Sequence, residues 1–338
     1  MTKQITVKNY KNLLGNISSL LEDGRKRVIR EVNNIIVNTY WNIGKQIVEF
    51  EQEGKEKAEY GQRLLKTLGH DLSLKYGKGF SWRNLLYMRK FYLIYPKLQT
   101  LSAKLSWSHY SILLSIDHGL KRDFYEIESI KNKYSVRELK RQIDSALFER
   151  LALSKDKKGI IELSRRGQII ENAEDLIKDP YVLEFLNIPE SERLTETKLE
   201  TNLIRNLSKF LLELGRGFSF VDRQYRITMN NEHHYVDLVF YNIQLKCYVL
   251  IDLKVRKFKH IDAGQMNFYL NYFKNEINSE GDKDPIGIIL CLDKDKVYAD
   301  YVLGGLNNKV FASKYKLRLP SEKELKEELE KEKRRFLR

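Results

Sequence analysis

Apolar residues in the front part of the chain recur at intervals of three and four, which is the spacing of an amphipathic helix. The repeat starts at Leu13 and runs to Ile47, and the polar stretch 51–59 then interrupts it. The front part is therefore predicted to be all helical. Beyond the interruption, helices are predicted over 60–76 and 82–95, from Ser106, near Leu120, and from Ser135 to about Leu153.

Beyond Thr195 the pattern changes to short apolar runs that are typical of strands. A helix from Thr195 to Leu214 comes first, and Gly215 is predicted to end it in a left-handed conformation. The order of helix, three strands, helix and strand predicts an α/β domain with a mixed central sheet. The predicted elements are strands at 218–227, 234–241 and 247–255, a helix at 261–275, a strand at 286–292, a helix at 297–303 and a strand near Val310.

The polar, basic stretch 153–167 separates these two patterns, and Pro180 and Pro189 mark turns soon after it. The boundary is therefore expected there. We predict a helical domain over 1–155, a linker and domain junction over 156–190, an α/β domain over 191–320 and a charged C-terminal helix over 321–338.

Positive charge is concentrated in the front part. The chain carries 60 Lys and Arg against 46 Asp and Glu, a formal net charge of +14. Residues 1–150 hold 27 of the basic and 16 of the acidic residues, so +11 of that charge lies there. A concentrated positive field attracts polyanions, of which nucleic acid is the commonest. A solvated basic surface that binds nothing is the simpler alternative.

Several classes of protein are not expected. The two cysteines, Cys247 and Cys291, lie in apolar runs without histidine partners, which excludes a zinc site and implies no disulfide. The N-terminus has no signal-peptide core, and no apolar run is long enough to cross a bilayer. We therefore expect a cytoplasmic protein without a membrane partner.

Two predicted strands carry the residues that point to chemistry. Asp237 lies within an apolar strand, and Asp252 and Lys254 lie two apart on the next strand, so they share a face. A turn centred between Gln244 and Leu245 places Asp237 opposite Asp252, with Cβ atoms about 5 Å apart. Two carboxylates so close repel each other unless a cation neutralises them, so the pattern predicts a divalent metal site.

Carboxylate oxygens favour Mg²⁺, or Mn²⁺ in its place. We expect Asp237 and Asp252 to bind the metal, with the backbone carbonyl of Leu253 as a further ligand. Lys254 would orient the attacking water or stabilise charge on the phosphate. These parts suit phosphodiester hydrolysis. The alternative, an Asp252–Lys254 ion pair at a strand end, leaves a costly buried Asp237 unexplained.

Helices on either side of these strands add candidates. Glu200 heads an apolar helical stripe and is predicted to support the metal, with Glu196 one turn earlier as its competitor. Both glutamates could instead simply complement the helix dipole. Gln265 and Tyr269 lie four apart on the following helix, so they share a face that can reach phosphate or water.

These residues together resemble the PD-(D/E)XK superfamily, whose signature is an acidic residue on one strand, D/E-x-K on the next, a preceding Glu and a following Gln…Tyr. Val236 stands in place of the signature proline. The chain also resembles the bacterial YhcG-type nucleases over nearly its full length. That resemblance rests on YWNIG (40–44), YMRKF (87–91), LELGRGFSF (212–220), YVDLVFYN (235–242), VLIDLK (249–254), GQM (264–266) and Tyr269.

The resemblance implies a helical N-terminal domain of helix-turn-helix or winged-helix kind and a restriction-endonuclease-like α/β domain. It also implies a place near restriction, phage-defence or DNA recombination and repair systems, with subunits of such systems as partners. Because many nucleases pair two sites to cut two strands, a homodimer is one assembly to consider.

The predicted helices on either side of the turn 76–80 have helix-turn-helix proportions. Arg and Asn side chains read base edges and Lys contacts phosphate, so the second helix is predicted to bind DNA. A helical bundle with a basic outer face is the alternative. The predicted contacts are Arg83, Asn84, Arg89 and Lys90, with Trp82, Leu85, Leu86 and Tyr92 facing the core.

The sequence thus predicts a Mg²⁺-dependent DNA endonuclease with Asp237, Asp252, Lys254, Glu200 and Gln265 at its site. The main alternative is a catalytically silent subunit that binds nucleic acid and uses the same fold as a docking platform. An RNA-directed nuclease ranks last, because the sequence carries no RNA-binding module signature.

Overall fold

The computed structural model describes residues 7–53, 58–97, 104–152, 157–189, 194–319 and 324. The chain divides into two compact units, Met1–Lys140 and Arg141–Arg338, which we call the helical unit and the sheet unit. The charged helix predicted over 321–338 lies outside the described residues, apart from Glu324.

The helical unit contains only helices in the ranges described, which confirms the predicted class. A winged-helix domain would need strands, and none occurs among the described residues before Lys140. The apolar repeat from Leu13 to Ile47 forms part of a single helix of 47 residues. The helices are α1 (Val7–Glu53), α2 (Ala58–Tyr76), α3 (Trp82–Ile94), α4 (Trp107–Leu113) and α5 (Gly119–Asn132), and α6 (Val136–Asp144) spans the boundary between the units.

Two glycines let α3 approach its neighbours closely. A Cβ on Gly44 of α1 would lie 2.0 Å from the carbonyl oxygen of Met88, and a Cβ on Gly69 of α2 would lie 2.6 Å from the backbone nitrogen of Trp82. Only glycine leaves room for these crossings. The core of the unit therefore forms where α1, α2 and α3 meet, around Ile47, Leu65, Leu85 and Met88.

The face that α3 buries differs partly from the prediction. Leu85 is buried as expected, whereas Trp82 and Leu86 are 42% and 43% exposed. The buried face of α3 follows Leu85, Met88 and Phe91, because these positions recur at three-residue intervals along one side of the helix. Two of the residues expected in the core thus lie on the surface.

The sheet unit is built on six strands in the order β1-β6-β5-β4-β3-β2. The pairs β2–β3 and β3–β4 are antiparallel, and the other three are parallel, so the sheet is mixed as predicted. The strands are β1 (Tyr181–Val182), β2 (Phe218–Met229), β3 (Glu232–Asn242), β4 (Cys247–Lys257), β5 (Ile286–Asp293) and β6 (Lys309–Lys316). The helices are α7 (Leu147–Ala152), α8 (Lys157–Arg166), α9 (Glu196–Arg205), α10 (Leu207–Leu214), α11 (His260–Tyr272) and α12 (Lys296–Leu303).

The helix predicted from Thr195 to Leu214 is two helices, because α9 ends at Arg205 and α10 begins at Leu207, with Asn206 between them. Gly215 does follow α10 with a positive φ of 110°, but its ψ of −157° is extended, so the predicted left-handed helical cap is wrong. Part of the segment expected as a linker, β1, forms the edge of the sheet and pairs with β6.

Apolar side chains cover both faces of the sheet. On β4, Val249 and Ile251 point into the cluster that includes α9 and α10, and Leu250 points into the cluster that includes α11. Cys247 and Cys291 are buried and free, as expected. In the part of the chain that the structure describes, no helix has the length and apolar character needed to span a bilayer.

Candidate active site

The hairpin of β3 and β4 brings the predicted acidic residues together. Its paired positions run from Asn242 with Cys247 to Leu238 with Ile251, which confirms the predicted register. Asp237 and Asp252 are the next positions along the two strands. The Asp237 Oδ2 atom accepts a hydrogen bond of 2.7 Å from the backbone N–H of Leu253, so it is fixed against the neighbouring strand.

Asp252 and Lys254 form a buried ion pair beside Asp237. The Lys254 Nζ atom lies 2.7 Å from Asp252 Oδ2, and the two residues are 8% and 2% exposed. Burial, together with the charge of Asp237, raises the pKa of Asp252 despite the nearby ammonium. Burial opposes the charge on Lys254, but the surrounding carboxylates outweigh it and raise the Lys254 pKa, so the lysine stays protonated.

A glutamine that sequence reasoning missed connects Glu200 to Asp237. The Gln224 Nε2 group donates to Glu200 Oε2 at 2.7 Å and to Asp237 Oδ1 at 2.9 Å. Burial and the charge of Asp237 raise the pKa of Glu200, which is 7% exposed. The helix-borne glutamate and the strand-borne aspartate therefore belong to one cluster, held together by a single amide.

The position of Gln224 follows from the hairpin of β2 and β3. Asn230 and Asn231 form its turn with φ values of 50° and 63°, as a two-residue turn of type I′ requires. The pairing on either side of Gln224 places it opposite Asp237. Its own φ of 48° is left-handed, which is rare for a strand residue. The two asparagines were the sequence signal that would have indicated this register.

Glu196, the competitor of Glu200, lies at the edge of the same site. It is exposed, and its Oε1 atom accepts a hydrogen bond of 3.4 Å from the backbone N–H of Val255. Its charge also helps to raise the pKa of Lys254. Glu200 is buried and connected to Asp237, whereas Glu196 borders the lysine, so Glu200 is the better placed of the two to act with the aspartates.

Gln265 and Tyr269 share a face of α11, as their spacing predicts. Gln265 is exposed, and its Nε2 group donates to the Tyr269 hydroxyl at 2.5 Å. The hydroxyl in turn donates to the Tyr235 carbonyl at 2.8 Å, and Tyr269 is only 1% exposed. Tyr269 therefore cannot contact nucleic acid as expected. It orients Gln265 instead, because a buried hydroxyl requires hydrogen-bond partners that fix its place.

The donor set fits a hard divalent cation. The site offers the carboxylate oxygens of Asp237, Asp252 and Glu200. The Gln224 amide contacts Glu200 and Asp237, and the Lys254 ammonium contacts Asp252. Within the described ranges, no group of three or more His, Cys, Asp or Glu side chains is placed to hold a metal ion. Mg²⁺ commonly takes one or two carboxylates and fills its other positions with water and phosphate, so a pair of aspartates suffices for it.

The predicted DNA-reading side chains of α3 are mostly engaged within the helical unit. Arg89 binds Glu51 at 2.7 Å, Lys90 binds Asp117 at 3.0 Å, and the Asn84 amide donates to the Gly79 carbonyl at 2.9 Å. Arg83 is exposed and lies over the ring of Trp82 at 5.5 Å. Arg83 is therefore the member of the predicted set that is most open to a ligand.

Comparison with known proteins gives matches over both units. Residues 174–330 match the family described as the YhcG PDDEXK nuclease domain, and residues 16–150 match the DUF1016 N-terminal domain. A protein of Escherichia coli (strain K12), called "Putative nuclease YhcG", is 39% identical over 356 residues. The match covers 96% of this chain and 94% of that protein.

Two solved structures are similar over part of the chain. One is a repair endonuclease from Pyrococcus abyssi, with 19% identity and a TM-score of 0.27, and the other is EndoMS in its apo form, with 15% identity and a TM-score of 0.26. Each match covers 39% of this chain, and the chain spans about half the length of each protein, 50% and 49%.

Proposed function

We propose that this chain, which belongs to the YhcG family of PD-(D/E)XK nucleases, is a divalent-metal-dependent endonuclease that hydrolyses phosphodiester bonds in DNA. The observation that carries the proposal is the convergence of Asp237, Asp252 and Lys254. The hydrogen bond from the Leu253 N–H to Asp237 holds the three side chains of two strands in one place.

Asp237 and Asp252 would hold the metal, and Glu200 would act through the Gln224 amide or through a water. When bound there, Mg²⁺ or Mn²⁺ lowers the pKa of a bound water and polarises a phosphate oxygen. The carbonyl of Leu253 would complete the protein ligands. A bound cation explains why the half-buried Asp237 lies beside the buried Asp252, since the cation removes the repulsion between the two carboxylates.

Lys254 would stabilise the charge that develops on the phosphate. Its ammonium is held by Asp252 and stays protonated, so it can donate hydrogen bonds to a phosphate oxygen or to the attacking water. Gln265, fixed by the Tyr269 hydroxyl, would contact a neighbouring phosphate. These groups are in place before the substrate binds, which reduces the reorganisation that the reaction requires.

The helical unit would hold the DNA. Lys75, Lys78 and Arg83 are exposed around the turn between α2 and α3, in the half of the chain that carries most of the positive charge. Such side chains bind phosphates and release counterions. We propose that this surface positions the duplex, and that two copies of the chain act together on its two strands.

A cleavage assay tests the activity. Purified full-length protein is incubated with supercoiled plasmid, branched DNA, single-stranded DNA and RNA, in the presence of Mg²⁺, Mn²⁺ or EDTA. We expect DNA cleavage that requires a divalent metal and is abolished by Asp252→Asn and by Lys254→Met. Asp284→Asn, at an exposed ion pair with Lys274, is the matched control and should keep full activity.

Three results would overturn parts of the proposal. Unchanged cleavage by Asp252→Asn would show that Asp252 is not a catalytic metal ligand, because no other acid could take the place of its buried carboxylate. Tight, salt-dependent DNA binding without cleavage of any substrate would favour a silent docking subunit. Preferential cutting of RNA would change the substrate while leaving the site in place.

A further inference from the structure

The longest helix among the described residues, α1, carries a large apolar surface that these residues leave exposed. Residues 10–36 of α1, which we call the α1 arm, include ten apolar side chains that are at least 46% exposed. The first buried residue of α1 among those described is Val37, and the ring contacts of Trp41 with Tyr92 of α3 and of Tyr40 with Trp107 of α4 follow it. An apolar surface of this extent marks a binding interface.

Six of these ten apolar side chains form one stripe along the α1 arm. Leu14, Ile17, Leu21, Val28, Val32 and Ile35 follow one another at intervals of three, four or seven residues, which keeps them on one side of the helix. Asn12 and Ser19 lie on the opposite side, which is polar. The arm is about 40 Å long, which is long enough for a helix pair of several turns.

The apolar positions of the stripe are symmetric about the bond between Gly24 and Arg25. Reversing the direction of the arm about that bond brings Leu14 to the place of Ile35, Ile17 to the place of Val32 and Leu21 to the place of Val28. An interface with two-fold symmetry has this property, because residue i of one copy meets residue j of the other and j meets i. A helix that binds a different protein has no need of it.

We propose that the α1 arm binds the α1 arm of a second copy of this chain, in antiparallel orientation, with the two-fold axis near Gly24. Nothing lies within 4 Å of the position of a Cβ at Gly24, so the two helices can approach closely where they cross. The symmetric apolar positions then face each other in layers on both sides of the axis, and the stripe is removed from water.

The charges next to the axis suit this arrangement. Glu22 and Arg25 lie on the same edge of the stripe and form an exposed ion pair of 3.0 Å within one helix. In an antiparallel pair, the Glu22 carboxylate of one copy lies beside the Arg25 guanidinium of the other, and the same contact repeats by symmetry. In a parallel two-fold pair, this edge of one copy lies on the opposite side of the interface from the same edge of the other, so these contacts do not form.

The oligomeric state of the protein tests the proposed interface without any measurement of nuclease activity. Analytical ultracentrifugation of the full-length protein should give twice the chain mass of 40.1 kDa. The double variant Leu21→Glu/Val28→Glu should be a monomer with unchanged helix content, and the control Asn12→Glu/Ser19→Glu, on the polar face, should stay a dimer. A monomeric native protein, or a dimer that survives Leu21→Glu/Val28→Glu, would overturn the proposal.

Disulfide trapping tests the orientation. In the antiparallel pair, Leu14 lies against Ile35 of the second copy, whereas the two Leu14 residues are about 32 Å apart. Mixing Leu14→Cys protein with Ile35→Cys protein should therefore give a crosslinked dimer under mild oxidation, and neither variant should crosslink alone. Native protein is the blank, since Cys247 and Cys291 are buried. Crosslinking of Leu14→Cys with itself would show a parallel pair and overturn the proposed orientation.

Discussion

The Gln224 amide donates to two carboxylates at once, from a left-handed backbone conformation that costs on the order of 1 to 3 kcal/mol in a residue other than glycine. We expect Gln224→Ala to reduce cleavage or metal affinity about 10- to 100-fold, because Glu200 and Asp237 lose the donor that orients both. The cleavage rate of the variant, titrated against Mg²⁺ concentration, measures the effect.

Gln224→Gly separates the role of the side chain from that of the backbone. Glycine adopts a positive φ freely, so this variant should be as stable as the native protein or more stable, and yet lose as much activity as Gln224→Ala. Gln46→Ala, at an exposed glutamine of α1, serves as the control and should change neither property. Full activity in both Gln224 variants would show that the amide is dispensable.

Some residues of the site could be predicted from the sequence and others could not. Asp252 and Lys254 share a face because strand side chains alternate, and Asp237 follows from the turn between β3 and β4. Gln224 required the register of a second hairpin, and exposed polar residues in β2 look like solvent-facing positions. The burial of Tyr269 also had no sequence signal, since a tyrosine four residues after a glutamine fits both an exposed and a buried face.

At the scale of elements, Gly44 controls the crossing of α1 and α3. Gly44→Ala would bring a methyl group to 2.0 Å from the Met88 carbonyl oxygen, so the helices must separate. We expect a loss of about 1 to 3 kcal/mol in the free energy of unfolding, measured by urea titration. Gly15→Ala, on the same helix with nothing within 4 Å, should instead stabilise the protein by up to about 1 kcal/mol. Equal effects of the two variants would contradict this account of the crossing.

Glu213 joins α10 to α7 and to the edge strand β1. Its Oε1 atom accepts hydrogen bonds from Arg150 at 2.5 Å and from the Val182 N–H at 2.9 Å. Burial by itself raises the pKa of this carboxyl, but the charges of Arg150, Lys178 and Arg141 outweigh burial and lower the pKa to about 2. The folded protein therefore holds this carboxylate ionised in its interior.

This depressed pKa makes the sheet unit sensitive to acid. The stabilisation is fully present above the ordinary glutamate pKa of 4.5 and is lost as pH falls towards the folded value. We expect Glu213→Gln to lower stability at neutral pH by about 3 to 5 kcal/mol, because buried guanidinium charge is left unpaired. Its thermal midpoint should then decline less between pH 5 and about pH 2 than that of native protein, as a pH series of melting curves measures. Glu162→Gln, at an exposed ion pair with Arg166, should follow the native curve.

The order of helices and strands was predictable from the spacing of apolar residues. A spacing of three to four indicates a helix and a spacing of two indicates a strand, and the two are distinct along this chain. The break at Asn206 was not, since Leu203, Leu207 and Phe210 continue a helical spacing across it. The short strand β1 was also missed. Two residues give no alternation, and β1 belongs to the sheet only because a distant strand, β6, pairs with it.

At the scale of the whole molecule, each chain carries one proposed site, and a DNA duplex has two strands to cut. A pair of chains joined through the α1 arms supplies two sites at once, so both strands can be cut in one encounter. A single chain has to release its product and bind again. We therefore expect native protein to convert supercoiled plasmid directly to linear DNA, and Leu21→Glu/Val28→Glu to accumulate nicked circles.

A time course of plasmid cleavage on agarose gels measures the two products. The first nick should form at the same rate per chain in native protein and in Leu21→Glu/Val28→Glu, because neither substitution touches Asp237, Asp252 or Lys254. Asn12→Glu/Ser19→Glu should behave as native protein. Direct linearisation by a monomeric Leu21→Glu/Val28→Glu variant would show that one chain cuts both strands. The α1 pairing would then have no part in the order of the two cuts.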